Sequence, residues 1–233
     1  MSARQLLDQL LQSGQGLVRD VAGSRGQQQG PARGTGGGLD GLLPGLGGGA
    51  LGAGAIALLL GSKKARKIGG KVAMYGGMAA LGALAYRAYS DWQAKQAQPT
   101  SREPQTADRL PPPEAERHSR AVLTAMIGAA KADGHIGEEE RRLLDAEIGK
   151  LAGDDADRRW LEAELARPLD PAVVAQAAGT PEMAAEMYLA SLIMVDEESF
   201  MERAYLDELA RQLKLAPGLK QELEQRLRKE VSA

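Results

Sequence analysis

Two acidic phrases of similar sequence contain the side chains best suited to hold a cation. The first, ADGHIGEEE, covers residues 132–140, and the second, VDEESFME, covers residues 195–202. Each precedes a helical pattern, and the two tails match in residue type at five positions: Glu140/Glu202, Arg141/Arg203, Leu144/Leu206, Asp145/Asp207 and Leu151/Leu213. The sequence therefore predicts one helix–loop–helix unit that occurs twice. Packing of the two copies face to face could gather four carboxylates: Asp133, Glu140, Asp196 and Glu202.

Four carboxylates in one place would form a divalent-cation site. Like charges repel one another unless a cation neutralises them, and hard oxygen ligands suit Ca²⁺, Mg²⁺ or Mn²⁺. His135 could add a nitrogen ligand, which would shift the preference toward a transition metal such as Zn²⁺. These residues predict a divalent cation as cofactor without distinguishing among those ions.

A second interpretation needs no metal. Residues 133–140 match the second half of an EF-hand loop, but its first and third positions would be Ala129 and Lys131, which excludes a complete EF-hand site. Glu140 and Glu202 also suit the third position of a helix, where the carboxylate of a capping box binds the helix start. Both interpretations stay open at the level of the sequence.

The charge divides the chain into two regions. Residues 1–100 carry 11 Lys and Arg against 4 Asp and Glu, whereas residues 101–233 carry 18 against 27. Of the 29 glycines, 22 precede residue 93, and the absence of Cys excludes disulfides and thiolate chemistry. The glycine runs lack the Gly-Lys-Ser/Thr of a phosphate-binding loop, and no paired Ser and His pattern occurs, so we expect no enzymatic activity.

A glycine-rich apolar segment predicts contact with membrane lipids. Residues 41–61 are 21 uncharged residues, about the length that crosses a hydrocarbon core. Small residues recur at every fourth position from Gly37 to Gly61, a register that lets membrane helices approach closely, so we expect self-association through it. Pro44 limits a helix to about residue 44 onward. The alternative, a soluble glycine linker, is disfavoured by the apolar run at residues 55–60.

A basic cluster and a second uncharged stretch follow this segment. The stretch spans Val72 to Tyr86, and the cluster consists of Lys63, Lys64, Arg66, Lys67 and Lys71. Because the cluster lacks interleaved aromatic residues, we expect anionic lipid headgroups as its partner and no nucleic acid. At the end of the stretch, Tyr86, Tyr89 and Trp92 are typical of an interfacial aromatic belt.

Two membrane topologies are compatible with these segments. If only residues 41–61 cross, the basic cluster keeps the C-terminal region in the cytoplasm. If residues 72–86 cross as well, both ends of the chain face outward. We favour the first topology because the acidic C-terminal region has no signature of export or of disulfides.

The C-terminal region predicts an all-α domain of about seven helices, because apolar residues recur at helical spacing between clear turn signals. Asp170, Thr180 and Ser199 are the predicted N-caps of three helices. We divide the chain into a flexible N-terminal region with a short amphipathic helix (1–40), the membrane segment with its basic cluster (41–92), a Pro-rich linker (93–113) and the helical domain (114–233).

Four side chains of this domain carry further expectations. Met183, Met187 and Met194 are predicted to lie in the core of the domain. His118 has charged neighbours in the sequence, so we expect it on a solvated helix face.

The acidic phrases and the helical layout resemble the tellurite-resistance TerB-like domain. With the apolar segment upstream, the chain resembles a bacterial inner-membrane family of unknown function, the YebE-like family. The resemblance implies a seven-helix bundle with pseudo-twofold helix pairs, an acidic metal-binding surface between them and a role in stress or tellurite response. The residues that match the family's acidic loops include Asp133, Glu140, Asp196, Glu198 and Glu202. Glu197 replaces Gly134 in the second loop, which is one residue shorter, so we do not expect identical half-sites.

We therefore expect a membrane-anchored helical module that binds a divalent cation, an unknown protein partner or both through its acidic repeats. The first alternative is a metal-independent interaction scaffold at the inner membrane. A metal-dependent hydrolase with an acidic centre is the further alternative.

Overall fold

The described part of the chain is helical. The computed structural model describes residues 3–5, 7, 78–96, 110–132, 155–195 and 199–232. These ranges contain α1 (Met78–Lys95), α2 (Pro112–Ala130), α3 (Asp155–Ala166), α4 (Pro171–Ala175), α5 (Pro181–Met194), α6 (Phe200–Gln212) and α7 (Pro217–Ser232). Residues 3–5 and 7 are also helical, and no strand occurs in the ranges given. The all-α prediction is confirmed, while the predicted membrane segment at residues 41–61 lies outside the described residues.

Side-chain caps open α4 and α5 as predicted. The Ala172 backbone N–H donates a hydrogen bond of 2.8 Å to the Asp170 carboxylate, and the Met183 N–H donates one of 3.1 Å to the Thr180 hydroxyl. The first N–H groups of a helix have no partner within the helix, and such side-chain oxygens supply one. Proline at the first position of each helix then holds the backbone in the helical φ range.

Helix α5 forms the centre of the core. Every residue from Met183 to Met194 is buried, and α1, α2, α6 and α7 pack against this helix. A helix that is largely apolar on all sides is stable only when other elements enclose it. The burial of Met183, Met187 and Met194 confirms their predicted place in the core.

Helix α1 belongs to the same core. Its buried residues include Leu81, Ala85 and Ala88, which lie on one face of the helix. Tyr89 and Trp92, predicted as part of an interfacial aromatic belt, pack against this core as well. The predicted boundary at residue 92 separates α1 from the helical domain, whereas the packing joins the two. None of the helices in the described ranges is both long enough and apolar enough to cross a membrane.

Ion pairs set the direction of α1 against α7. Asp91 pairs with Arg226, and Lys95 pairs with Glu222 at 2.5 Å. From Asp91 to Lys95 the chain advances along α1, whereas their partners go back along α7 from Arg226 to Glu222. The two helices are therefore antiparallel. Three of these four side chains keep about a quarter or more of their surface exposed. The pairs therefore contribute orientation, and apolar packing contributes more of the stability.

Gly128 of α2 makes room for a buried tyrosine of α6. A Cβ built on Gly128 would lie 2.5 Å from the Tyr205 hydroxyl oxygen and 3.1 Å from Val174 Cγ2. Burial raises the pKa of the Tyr205 hydroxyl, and an interaction with Ser191 opposes that rise only in part. The close approach of α2 and α6 therefore requires glycine at position 128.

We expect Gly128→Ala to lower the free energy of unfolding by about 1–3 kcal/mol, because the added methyl group overpacks the contact with Tyr205. Tyr205→Phe removes the nearest atom, so the same change should cost less in that background. Gly179→Ala is the control, since the nearest atom to its added Cβ is Met183 Cε at 4.0 Å. Urea unfolding of the full chain measures all of these variants. An equal cost of Gly128→Ala in both backgrounds would contradict the steric explanation.

Candidate functional site

Helices α2 and α5 lie side by side and run in the same direction. His118 of α2 contacts Glu186 of α5, and further along both helices the Ser191 hydroxyl donates to the Ala125 carbonyl at 3.1 Å. The two contacts advance together toward the C-terminal ends of both helices. Those two ends therefore lie at the same end of the pair.

The two predicted acidic loops begin in sequence directly after these helix ends. Helix α2 ends at Ala130 and α5 at Met194, so Asp133 and Asp196 follow three and two residues later. A helix C-terminus carries partial negative charge on its free carbonyl groups. The shared end of α2 and α5 therefore favours a positive charge even before any carboxylate is counted.

Glu202 is the predicted ligand that the structure describes. It occupies the third position of α6, and only 7% of its surface is exposed. Its backbone N–H donates to the Ser199 hydroxyl at 3.4 Å, which confirms Ser199 as the predicted N-cap. A carboxylate in the first turn also suits the positive end of the helix dipole. Glu202 thus has a capping position, which a metal role would not exclude.

The other four predicted ligands, Asp133, Glu140, Asp196 and Glu198, lie outside the described residues. Among the residues that the structure describes, no group of three or more His, Asp or Glu side chains is arranged to hold a metal ion. The predicted cluster of carboxylates therefore stays a prediction.

A fully buried pair of ionisable side chains joins α2 to α5. His118 Nε2 lies 2.6 Å from Glu186 Oε2, and at most 1% of either side chain is exposed. The expectation that His118 lies on a solvated face is wrong. A carboxylate without access to water requires a cationic or hydrogen-bonding partner. Because both groups are closed to solvent, this pair holds the register of two helices and does not face a substrate.

The sequence contains a signal for each member of this pair. His118 occurs at helical spacing with Ala115, Ser119 and Val122, and all four are buried. The charged residues next to His118 in the sequence make this helical spacing hard to recognise. Glu186 is the one charged residue of the buried run MAAEMYLASLIM, and such a residue needs a partner from another element. The identity of that partner depends on the packing of α2 against α5.

We expect His118→Ala to lower the free energy of unfolding by about 3–5 kcal/mol, because Glu186 stays buried after it loses the imidazole. Replacement of both groups, His118→Leu with Glu186→Met, should recover most of that loss, since an apolar pair needs no compensating charge. Thermal or urea unfolding of His118→Leu, of Glu186→Met and of the double variant forms a double-mutant cycle. Additive losses would show that the two side chains do not act as a pair.

Polar contacts hold α3 against α2. The buried residues of α3, Asp157 and Glu164, are both acidic. Arg120 of α2 binds Asp157 at 2.9 Å, and its guanidinium lies 5.4 Å from the centre of the Trp160 ring. Lys131 donates to carbonyl oxygens at the end of α3, including that of Leu165 at 2.9 Å. Arg120 thus matches the buried carboxylate of Asp157, and Lys131, at the C-cap of α2, matches the C-terminal dipole of α3.

A cavity of about 670 Å³ opens between α1 and the connections that precede α5 and α7. Tyr89 and Trp92 form its wall on α1, while Leu213 and Leu219 line it from the other side. Lys214, two residues after the end of α6, is its charged lining residue and adopts a left-handed backbone conformation with a φ of 56°. The volume falls in the range of ligand pockets.

Comparison with known proteins places the chain in a family. A family model described as "Protein of unknown function (DUF533)" matches residues 45–227, which is most of the chain. The chain belongs to the DUF533 family. It is also 32% identical over 126 residues to an "Uncharacterized protein in ampR 5'region" of Yersinia enterocolitica, an alignment that covers 54% of this chain and 89% of that protein. No solved structure matches this DUF533 protein at a significant level.

Proposed function

We propose that this DUF533 protein is a membrane-anchored helical module that binds a divalent cation through its two acidic helix–loop–helix repeats. The cation would be Ca²⁺, Mg²⁺, Mn²⁺ or Zn²⁺, and the loaded repeats would present a surface to a protein partner. In this proposal the helical domain is TerB-like and the protein acts at the bacterial inner membrane in an envelope, metal or oxyanion stress response. Family membership leaves this function open, since the family itself has none assigned.

The parallel arrangement of α2 and α5 is the observation that carries the proposal. It brings two helix C-termini to one end of the domain, and each is followed in sequence by an Asp within three residues. Carboxylates near two negative dipole ends repel one another, and a divalent cation would remove that repulsion. Glu202, which is mostly buried in the first turn after the second loop, would add a further oxygen.

The membrane part of the proposal rests on sequence. Residues 41–61 have the apolar character for insertion, and their small-residue register suits self-association. The basic cluster from Lys63 to Lys71 would bind anionic lipid headgroups, each basic residue contributing on the order of 1 kcal/mol near the surface.

We expect purified full-length protein, stripped of metal in detergent, to bind a divalent cation saturably in calorimetric titration with Ca²⁺, Mn²⁺ or Zn²⁺. The Asp133→Asn/Asp196→Asn double variant should lose this binding because each loop loses its first carboxylate. Asp170→Asn is a matched control, since Asn also caps α4 well. Absence of binding in the unaltered protein would leave Glu202 as a helix cap and rule out the cation role.

A metal-independent interaction scaffold is the second candidate, and the cavity beside α1 favours it. Apolar side chains such as Leu213 and Leu219 form part of its walls, and Gln176 stands exposed at its edge. A peptide segment of a partner protein could insert apolar side chains there. This function would need neither acidic loop.

We expect a photo-crosslinking residue at Gln176 to give a discrete protein adduct in cells, including after metal chelation, if the cavity is the partner site. Ala178→Trp should suppress the adduct because the indole fills the cavity. The same crosslinker at Glu162, an exposed position of α3 away from the cavity, provides the control. Adducts that are equal at both positions would count against a specific surface.

A further inference from the structure

The cavity beside α1 has an aromatic wall that is held in place by its neighbours. The rings of Tyr89 and Trp92, which both line the cavity, have centroids 6.0 Å apart and are tilted by 42°. The edge of the indole lies against the start of α7, because a Cβ built on Gly218 would come within 3.0 Å of Trp92 Nε1. A wall fixed in this way can pack against the apolar body of a ligand without first being ordered.

Small side chains keep the cavity open. Alanines line it from several elements: Ala172 and Ala175 from α4, Ala184 from α5 and Ala216 from the connection before α7. A larger side chain at any of these positions would occupy volume that is now open. The alanines therefore help to set the size of the cavity, about 670 Å³, which suits a small molecule.

Lys214 gives the cavity its charge. Among the described residues that line the cavity, Lys214 is the one charged side chain, and it is exposed. Within the described ranges its ammonium group makes no ion pair. Lys220, by contrast, pairs with Asp207 at 2.8 Å and with Glu224 at 3.2 Å. The ammonium of Lys214 is therefore available to an anion that enters the cavity.

The backbone at Lys214 favours glycine. The Leu215 N–H donates to the Ala210 carbonyl at 3.0 Å, and the Lys214 N–H donates to the Arg211 carbonyl at 3.1 Å. In this helix-ending motif the left-handed position is usually glycine, because a Cβ is disfavoured there. Local structure thus gives no reason for a lysine at position 214. A strained backbone of this kind is found where the side chain has a role of its own.

The surroundings of the cavity differ in charge from one side to the other. The first turn of α7, next to Ala216, contains no acidic residue, so the positive end of the helix dipole adds to the charge of Lys214. On the α1 side, burial and the negative charge of Glu182 raise the pKa of the Tyr89 hydroxyl. An anionic group is therefore favoured near Lys214 and disfavoured near the Tyr89 hydroxyl.

We infer that the cavity beside α1 binds an amphipathic monocarboxylate, with its carboxylate on Lys214 and its apolar body against Tyr89 and Trp92. A single cation suits a single negative charge, since a second charge on the ligand would lose water without gaining a partner. The aromatic wall suits a body without charge. This site needs neither the cation nor the membrane anchor of the proposed function, and it gives the cavity a small molecule in place of a partner peptide.

Tryptophan fluorescence of the full chain tests for this binding. The chain has two Trp, so Trp160→Phe leaves Trp92 as the only reporter. The probes are 2-naphthoate, which has a flat aromatic body, and octanoate, which has an acyl chain. We expect a saturable change of Trp92 emission with at least one of them, and the probe that binds more tightly identifies the body. No saturable change with either probe would overturn the inference.

Uncharged analogues and variants of Lys214 test the role of the charge. We expect each carboxylate that binds to do so about tenfold more tightly than the corresponding alcohol, because a charged hydrogen bond is lost in the alcohol. Lys214→Gln should remove this difference, and Lys214→Arg should keep it. Lys229→Gln, an exposed lysine in the last turn of α7, is the matched control and corrects for uptake of the probe by detergent. Equal affinity for acid and alcohol in the unaltered protein, or unchanged affinity in Lys214→Gln, would contradict the assignment.

Lys214→Gly separates a binding role from a structural one. Glycine relieves the left-handed conformation, so we expect a higher urea midpoint of unfolding together with the weaker carboxylate binding of Lys214→Gln. Opposite changes of stability and affinity support the inference. A Lys214→Gly variant that unfolds at lower urea would show that the lysine serves the fold, which would overturn it.

The crosslinking residue at Gln176 distinguishes a small molecule from a peptide in the same cavity. A discrete protein adduct from a chain that binds neither probe would assign the cavity to a protein partner and rule out the monocarboxylate. Saturable probe binding by the Asp133→Asn/Asp196→Asn variant supports the inference whether or not the unaltered protein binds a cation. The failure of one proposal is thereby distinguishable from the failure of the other.

Discussion

The burial of α5 is the constraint on which the rest of the domain depends. A helix whose residues are buried on every side cannot exist without neighbours, and four helices pack around this one. Its buried run carries one carboxylate, Glu186, which lies deep in the core. Burial of a carboxylate is costly, so the pairing with His118 decides which face of α2 turns inward. Side-by-side packing of two parallel helices follows from that pairing and from the Ser191 contact.

The periphery of the domain is organised by charge. Helix α3 buries Asp157 against Arg120 of α2, and α1 meets α7 through two ion pairs. Such pairs contribute little free energy at an exposed surface, but they discriminate strongly among possible registers. Helix α2 belongs to both the core and the periphery. Its apolar residues pack against α5, while Glu116 and Arg120 contact the N-terminal residues and α3.

The two ends of α2 have different surroundings. The C-terminal ends of α2 and α5 lie at one end of the bundle, next in sequence to the acidic loops, whereas the N-terminal residues dock at the other end of α2. The cation proposed for the acidic loops would therefore bind at the end of α2 opposite Glu116, and the buried pair of His118 with Glu186 would fix the helix between them.

The local features of this protein follow from its sequence. Asp170, Thr180 and Ser199 cap their helices because side-chain oxygens satisfy backbone donors that are only two or three residues away. Long-range features needed the tertiary structure. No local rule relates His118 to Glu186, or Ala3 to Glu116, since those pairs are distant in sequence and meet only when helices pack. The glycine-rich composition of residues 41–92 predicts a membrane segment up to Trp92, whereas α1, which lies at the end of that range, packs against α5 and α7. The carboxylates of the acidic loops stay a sequence prediction, with Glu202 as the one whose surroundings are known. Spacing can show that residues share a helix face, but only packing decides what that face meets.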